Sequence, residues 1–216
     1  MHNKFMNLDE EKRNNIINAG MKEFADKGYD SAKTDNIVEE AGISKGLLFH
    51  YFGTKKDFFL FLVKYAFDLC YQNYVNQINM DKDIFVRLRK NTLLKERIQQ
   101  QNPDLFNFLM SVAVKGLDSI EDEVSTGIIE KLEAFRKETY TKLFNDLDLS
   151  KFRDDVDINK AIEVIIWTIE GYQKKNMSRF KNTKVDEIDY KEIANEIEEY
   201  FSLLRLAFYK DEYNSK

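Results

Sequence analysis

Residues Thr34 to Lys56 read TDNIVEEAGISKGLLFHYFGTKK, and the spacing of their breaks decides the fold. A short helix is expected up to Ala41, with Thr34 as its N-cap and Ile37, Val38 and Ala41 turned inward. Gly42 interrupts it, since glycine tolerates turn geometry that other residues resist. Ser44 then caps a second short helix, Lys45 to about His50. Thr54 caps a much longer helix that runs to about Ile78. Two short helices joined through a glycine turn make a helix-turn-helix plan. Leu47 and Phe52 are expected to pack inward. Lys45, Gly46, Leu48, Phe49, His50 and Tyr51 are left as an outer, DNA-reading face.

Charge points the same way. Between Glu40 and Asp57 there is no carboxylate, while Lys45, Lys55, Lys56 and His50 fall inside the window. The whole chain carries a formal net charge of -5, and residues 1–56 are neutral, with nine Lys/Arg against nine Asp/Glu. A protein that binds polyanions over its whole surface is basic throughout. Any nucleic-acid contact must therefore be local and geometric, made by this window. Thr54 opens a helix whose free N–H groups, helped by Lys55, suit a phosphate.

The rest of the chain reads as helix. Asn7 to Lys27 is a first helix, capped by Asn7 with Glu10 as its capping-box partner, and Gly28 takes the position after its end. Its stripe is Ile17, Met21 and Phe24. The long helix from Thr54 is apolar around most of its circumference, so it is expected to lie between two bodies of protein. Further helices are expected at Lys82 to Gln101, from Pro103 to about Leu117, Glu121 to Leu147, Asp157 to about Arg179, and Glu187 to about Tyr209. A single proline in 216 residues permits such lengths. The fold class is all-α with about nine helices: a three-helix helix-turn-helix domain over 1–56, and a helical domain for effector binding and dimerisation over 57–216.

Several functions fit poorly. One cysteine, Cys70, leaves no disulfide framework and no cysteine-rich zinc site, and the only histidines are His2 and His50. There is no glycine-rich phosphate loop, GxSxG or HExxH, so no enzyme, metal or cofactor is expected. The N-terminus lacks the apolar core of a signal peptide, and the apolar run Phe58 to Val63 is too short to span a bilayer. A cytoplasmic protein without a membrane partner is expected.

The order Thr34, Ile37, Ala41-Gly42-Ile43-Ser44-Lys45-Gly46, Leu48-Phe49-His50-Tyr51-Phe52, Lys55 resembles the DNA-binding domain of the TetR family of bacterial repressors. With the flanking helices the likeness extends over roughly the first 65 residues. It implies a homodimer on a palindromic operator, a ligand cavity beneath the fourth helix, and dimerisation through the last two helices. Phe49 stands where the family usually carries a tyrosine, so a hydroxyl commonly offered to a phosphate is missing.

The DNA-binding residues expected from motif and resemblance are Thr34, Ser44, Lys45, Gly46, Leu48, Phe49, His50, Tyr51, Thr54 and Lys55. Of the 29 aromatic residues 23 follow residue 56, which suits either helical cores or a lined cavity for a small apolar or aromatic effector. Its candidate lining is Tyr65, Leu69, Phe106, Met110, Phe135, Tyr140, Trp167 and Glu170. The final two helices carry heptad-like stripes, and Ile162, Ile165, Ile169, Tyr172, Ile197, Phe201, Leu204 and Phe208 are the candidate dimer interface. A ligand-responsive repressor is the function expected; a DNA-organising or ligand-binding protein of the same fold is the alternative.

Overall fold

The computed structural model describes residues 3–115, 122–180 and 187–214, and among them lie ten α-helices and no strand. They are α1 (Asn3–Met6), α2 (Glu10–Ser31), α3 (Thr34–Glu40), α4 (Lys45–Phe52), α5 (Lys55–Asn73), α6 (Ile84–Gln101), α7 (Pro103–Lys115), α8 (Asp122–Phe144), α9 (Ile158–Phe180) and α10 (Tyr190–Phe208). The expected ends at Leu117 and Glu121 fall outside the described residues. None of the described helices is long and apolar enough to cross a membrane.

Two expected caps are replaced by better-placed acids, and an acid caps a third helix for which no cap was expected. Asp9, not Asn7, caps α2, its side chain accepting from the N–H groups of Glu11 and Lys12. Lys33 occupies the N-cap position of α3, and Thr34 is the first helical residue. The acceptor there comes from a different helix: the Glu23 carboxylate on α2 receives the Lys33 N–H at 2.8 Å and the Asn36 side chain at 3.1 Å. A longer side chain arriving across the domain has displaced a local cap. Asp83 caps α6, which therefore starts at Ile84.

Two hydrophobic cores stand in sequence along the chain. The first joins α2, α3, α4 and α5, and also takes in Leu105, Phe108 and Val112 of α7 and Ile128 of α8. Phe58 on α5 sits so close to α2 that a Cβ at Gly20 would lie 2.6 Å from its ring. Only a residue without a side chain permits that approach. The second core gathers α6, the end of α8, α9 and α10 around Tyr74, Phe85, Phe152, Ile165, Phe201 and Tyr209.

Polar clasps hold the second core together. Arg87 is wholly buried and, among the described residues, has no carboxylate partner; its guanidinium donates to six backbone carbonyls. Lys142 and Leu143, at the C-terminal end of α8, supply two of them, and carbonyls there have no partner within their own helix. Asp83 receives the Phe85 and Val86 N–H groups, the Lys151 ammonium and the Tyr209 hydroxyl. The polar connector after α8 is thereby anchored, with Phe152 buried against Tyr209.

Candidate DNA-reading head and ligand cavity

The turn between α3 and α4 forms as its residues dictate. Gly42 has φ +64°, a left-handed value that a side chain resists, and the Ile43 N–H closes the turn on Val38 O at 2.9 Å. Ser44 caps α4 by accepting the Leu47 N–H at 3.2 Å. Lys45, Gly46 and His50 are exposed along α4, while Phe49 and Tyr51 are half-buried. The Tyr51 ring leans on Phe5 of α1 with centroids 5.6 Å apart.

Leu48 corrects the sequence expectation. It is 1% exposed and belongs to the first core, so it does not reach a base edge; Leu47 is the more exposed of the pair. In so short a helix the inward stripe runs Leu48, Phe52, a spacing of four, and only the packing with α2 and α5 fixes which leucine takes it.

Gly46 is informative because nothing in the chain requires it. A Cβ there would meet open space, and its φ is not left-handed. An exposed helical glycine costs about 1 kcal/mol relative to alanine, with no internal return. A surface that must approach another backbone closely gives that position a reason.

The lysines divide into two kinds. Lys45 pairs with Asp35 at 2.8 Å, both side chains largely exposed. Such a pair is worth about 0–1 kcal/mol and is readily exchanged for a phosphate. Asp35 therefore brings an acid beside a window that is acid-free only along the sequence. Lys55 turns away: its ammonium donates to Asp30 O at 3.1 Å and lies 4.9 Å from the centre of the Tyr29 ring. Burial there lowers its pKa. It ties α5 to the end of α2, which revises its expected role as a phosphate contact. Thr54 caps α5 through the Asp57 N–H at 3.0 Å and donates back to Asp57 at 2.6 Å. That carboxylate already answers part of the helix dipole.

Farther along the chain, a cavity of about 190 Å³ opens among α6, α7, α8, α9, α10 and Tyr74 at the end of α5. Of the expected lining residues, Phe106 and Tyr140 are on its wall. Tyr65 and Leu69 pack on the first core and Phe135 on the second. Met110 is half-buried and is not on the wall. Trp167 is corrected outright: at 62% exposed it faces solvent, and Glu170 does so beside it. Sequence reasoning missed Tyr74, Leu88, Lys95 and Tyr190. The sequence carried no signal for Tyr74, because the helix expected to run to about Ile78 ends at Asn73 in the structure.

Half of the expected dimer stripe is corrected. Ile165, Tyr172, Ile197 and Phe201 are buried in the second core, and Ile162, Ile169, Leu204 and Phe208 are half-buried beneath the surface. Of these, Ile169, Tyr172, Ile197 and Phe201 line the cavity. The apolar surface left exposed on the same two helices is instead Trp167, Tyr200, Leu203 and Leu206. Gly171, one turn beyond Trp167, has open space where a Cβ would stand.

Comparison with known proteins bears on the head most directly. Residues 16–61 match the model of "Bacterial regulatory proteins, tetR family". The chain is 28% identical over 133 residues to the transcriptional regulator AcuR of Cereibacter sphaeroides, covering 61% of this chain and 60% of that one. It is 38% identical over 71 residues to the regulator HbdR of Aromatoleum sp., covering 33% of this chain and 31% of that protein. The chain thus spans less than two thirds of the length of these curated relatives. In fold it resembles a TetR family regulator from Chloroflexus aurantiacus, with a TM-score of 0.58 at 24% identity over 96% of this chain and 97% of the other. A TetR protein from Rhodobacter sphaeroides gives 0.60 at 23% identity over 91% and 98%.

Proposed function

The chain belongs to the TetR family of bacterial regulators, and from that premise we propose that it is a ligand-responsive repressor. It binds a palindromic operator as a homodimer in the cytoplasm. The observation that carries this reading is the α3–α4 turn, after which Lys45, Gly46 and His50 are exposed on α4. Phosphate contacts set register, and base edges in the major groove set sequence. Lys45 and the first N–H groups of α5 serve the phosphates, with Thr34, Ser44, Phe49 and Tyr51 at the margins.

The homodimer forms through α9 and α10, and the exposed Trp167, Tyr200, Leu203 and Leu206 supply its apolar face, with Gly171 allowing close approach. Two heads then sit about 34–36 Å apart on one side of the duplex. We divide the chain into a reading head over 1–56 and an effector and dimerisation body beyond it.

Two helices connect cavity to head. The long helix α5 sends Phe58, Phe59 and Leu62 into the first core and ends at Tyr74 on the cavity wall. Neighbouring residues of α7 divide likewise: Phe106 faces the cavity, whereas Leu105 and Phe108 belong to the first core, where α7 packs along α2. A ligand that prefers one setting of α7 changes the spacing of the heads by its differential affinity for the two settings.

The test is a footprint of the purified chain on the DNA flanking its own gene. Two protected half-sites, centred about one helical turn apart and occupied by two chains, are expected. Uniform protection without a preferred site sinks the repressor reading and favours a DNA-organising protein.

A further inference from the structure

Asp35 and Lys45 form an ion pair between the two helices of the reading motif. The carboxylate belongs to the first turn of α3 and the ammonium to the first residue of α4, and they stand 2.8 Å apart. Other carboxylates of the head serve the fold. Glu23 accepts the Lys33 N–H and the Asn36 side chain, Asp57 is bound to Thr54, and Asp9 caps α2. Glu40 joins α3 to α2 through Lys22 at 2.5 Å. The Asp35 side chain is 71% exposed and that of Lys45 50%, so their pair fastens little. The start of α3 does not depend on it either, because Glu23 answers the N–H at the N-cap position.

What the pair does change is the charge that a duplex meets. To an ammonium, a carboxylate and a phosphate present the same kind of acceptor oxygen and the same sign of charge. With Asp35 in place Lys45 is already answered, and a phosphate can take it only by displacing the carboxylate. The displaced group stays beside the motif, since the first turn of α3 carries it, and there it repels the phosphates. Between Glu40 and Asp57 the sequence holds no acid, so folding brings to this window a carboxylate that the sequence keeps out of it. Residues 1–56 are formally neutral, and loss of this one acid makes them net positive.

We propose that Asp35 is an intramolecular stand-in for a phosphate, masking Lys45 on the free head and lowering its affinity for DNA of any sequence. This rests on reading Lys45 as a phosphate contact. Phosphate contacts carry no base information, so the mask sets the strength and salt dependence of binding and leaves base preference alone. An acid that accepted a hydrogen bond from a cytosine amino group would act the other way, and its loss would weaken the operator selectively.

The experiment is fluorescence anisotropy over a range of salt, with the full-length chain and two short duplexes. One duplex has arbitrary sequence and the other carries the footprinted site. The parent, Asp35→Asn, Lys45→Ala and the double variant form a cycle. Asp35→Asn is expected to bind both duplexes at least about threefold more tightly, with a salt slope steeper by about one and an unchanged fold by circular dichroism. Asp35→Glu keeps the charge and is expected to bind as the parent does. Without Lys45, less than half of the gain, as free energy, is expected to remain. A smaller gain from Asp35→Asn, a gain of which more than half survives in Lys45→Ala, or selective weakening of the operator overturns the inference. Lys45→Ala that binds as the parent does removes the phosphate reading and the mask with it. A normal loss in Lys45→Ala beside an unchanged Asp35→Asn removes the mask alone.

Discussion

Arg87→Met removes the clasp that joins the start of α6 to the end of α8, and the structure sets the size of the effect. The guanidinium donates to Asp81 O at 2.5 Å and Asn145 O at 2.6 Å, and to Lys142, Leu143, Met80 and Asp146 carbonyls at 3.2–3.3 Å. Bonds from a charged donor contribute about 1.5–3 kcal/mol each when isolated, but six sharing one group do not add. Two are short, four are long, and the carbonyls nearest the surface recover water once the side chain is gone. Each buried carbonyl left unpaired costs about 1–3 kcal/mol, and with only the most enclosed ones staying dry we expect a total of about 3–5 kcal/mol. For a chain of this size it corresponds to a fall in melting temperature of roughly 6–20 °C. Urea unfolding followed by circular dichroism is the assay, with the midpoint shifting and the slope unchanged. Arg87→Lys keeps the charge but has three donors in place of five, and it should recover less than half of the loss. A loss below about 1 kcal/mol for Arg87→Met would refute the reasoning, since the six carbonyls would then have needed no partner.

Other expectations concern pH, assembly and helix packing. Burial pushes the Asp83 carboxyl up, but Lys151, the Val86 N–H and the Tyr209 hydroxyl outweigh it, so its pKa lies below the ordinary carboxylate value. A depressed pKa stabilises the fold above about pH 4 and loses that contribution as pH falls through the folded value. Asp83→Asn should therefore cost about 2 kcal/mol at pH 7, with the gap to the parent protein narrowing towards pH 3; a gap constant with pH in urea melts contradicts this. Leu203 is 63% exposed and Leu206 58%, so Leu203→Lys with Trp167→Lys should give a folded monomer in sedimentation, whereas a dimer of undiminished strength removes this face from the interface. Gly20→Ala gains about 1 kcal/mol of helix propensity but pushes on Phe58 and Leu62, and overpacking of about 1–3 kcal/mol wins. A melting temperature at or above the parent's would show that α2 and α5 separate more easily than their contact implies.

Much of the head is legible in the sequence because short-range rules govern it. Gly42, Ser44 and Thr54 do what their chemistry requires within three residues of chain, so the turn and two caps follow from local reading. Failures begin where a residue from elsewhere enters. Glu23 supplies the acceptor that Thr34 was expected to provide, and Asp30 with Tyr29 holds the lysine that was expected to face phosphate. Helices α9 and α10 show the limit of periodicity. Their strongest stripes are visible, but a stripe does not state whether its partner belongs to the same chain. Packing uses Ile165, Tyr172, Ile197 and Phe201 internally and leaves the second, shorter set of Trp167, Leu203 and Leu206 outside. The cavity was the least legible part, since its wall comes from six elements.

The central claim is that the exposed edge of α4 reads DNA, and one titration tests it most directly. Lys45→Ala with His50→Ala, in a chain that remains dimeric, is measured by fluorescence anisotropy on the footprinted operator across a range of salt. The account predicts binding at least tenfold weaker, and a salt slope reduced by about one for each Lys45 lost from the complex. Unchanged affinity with an unchanged slope would contradict it.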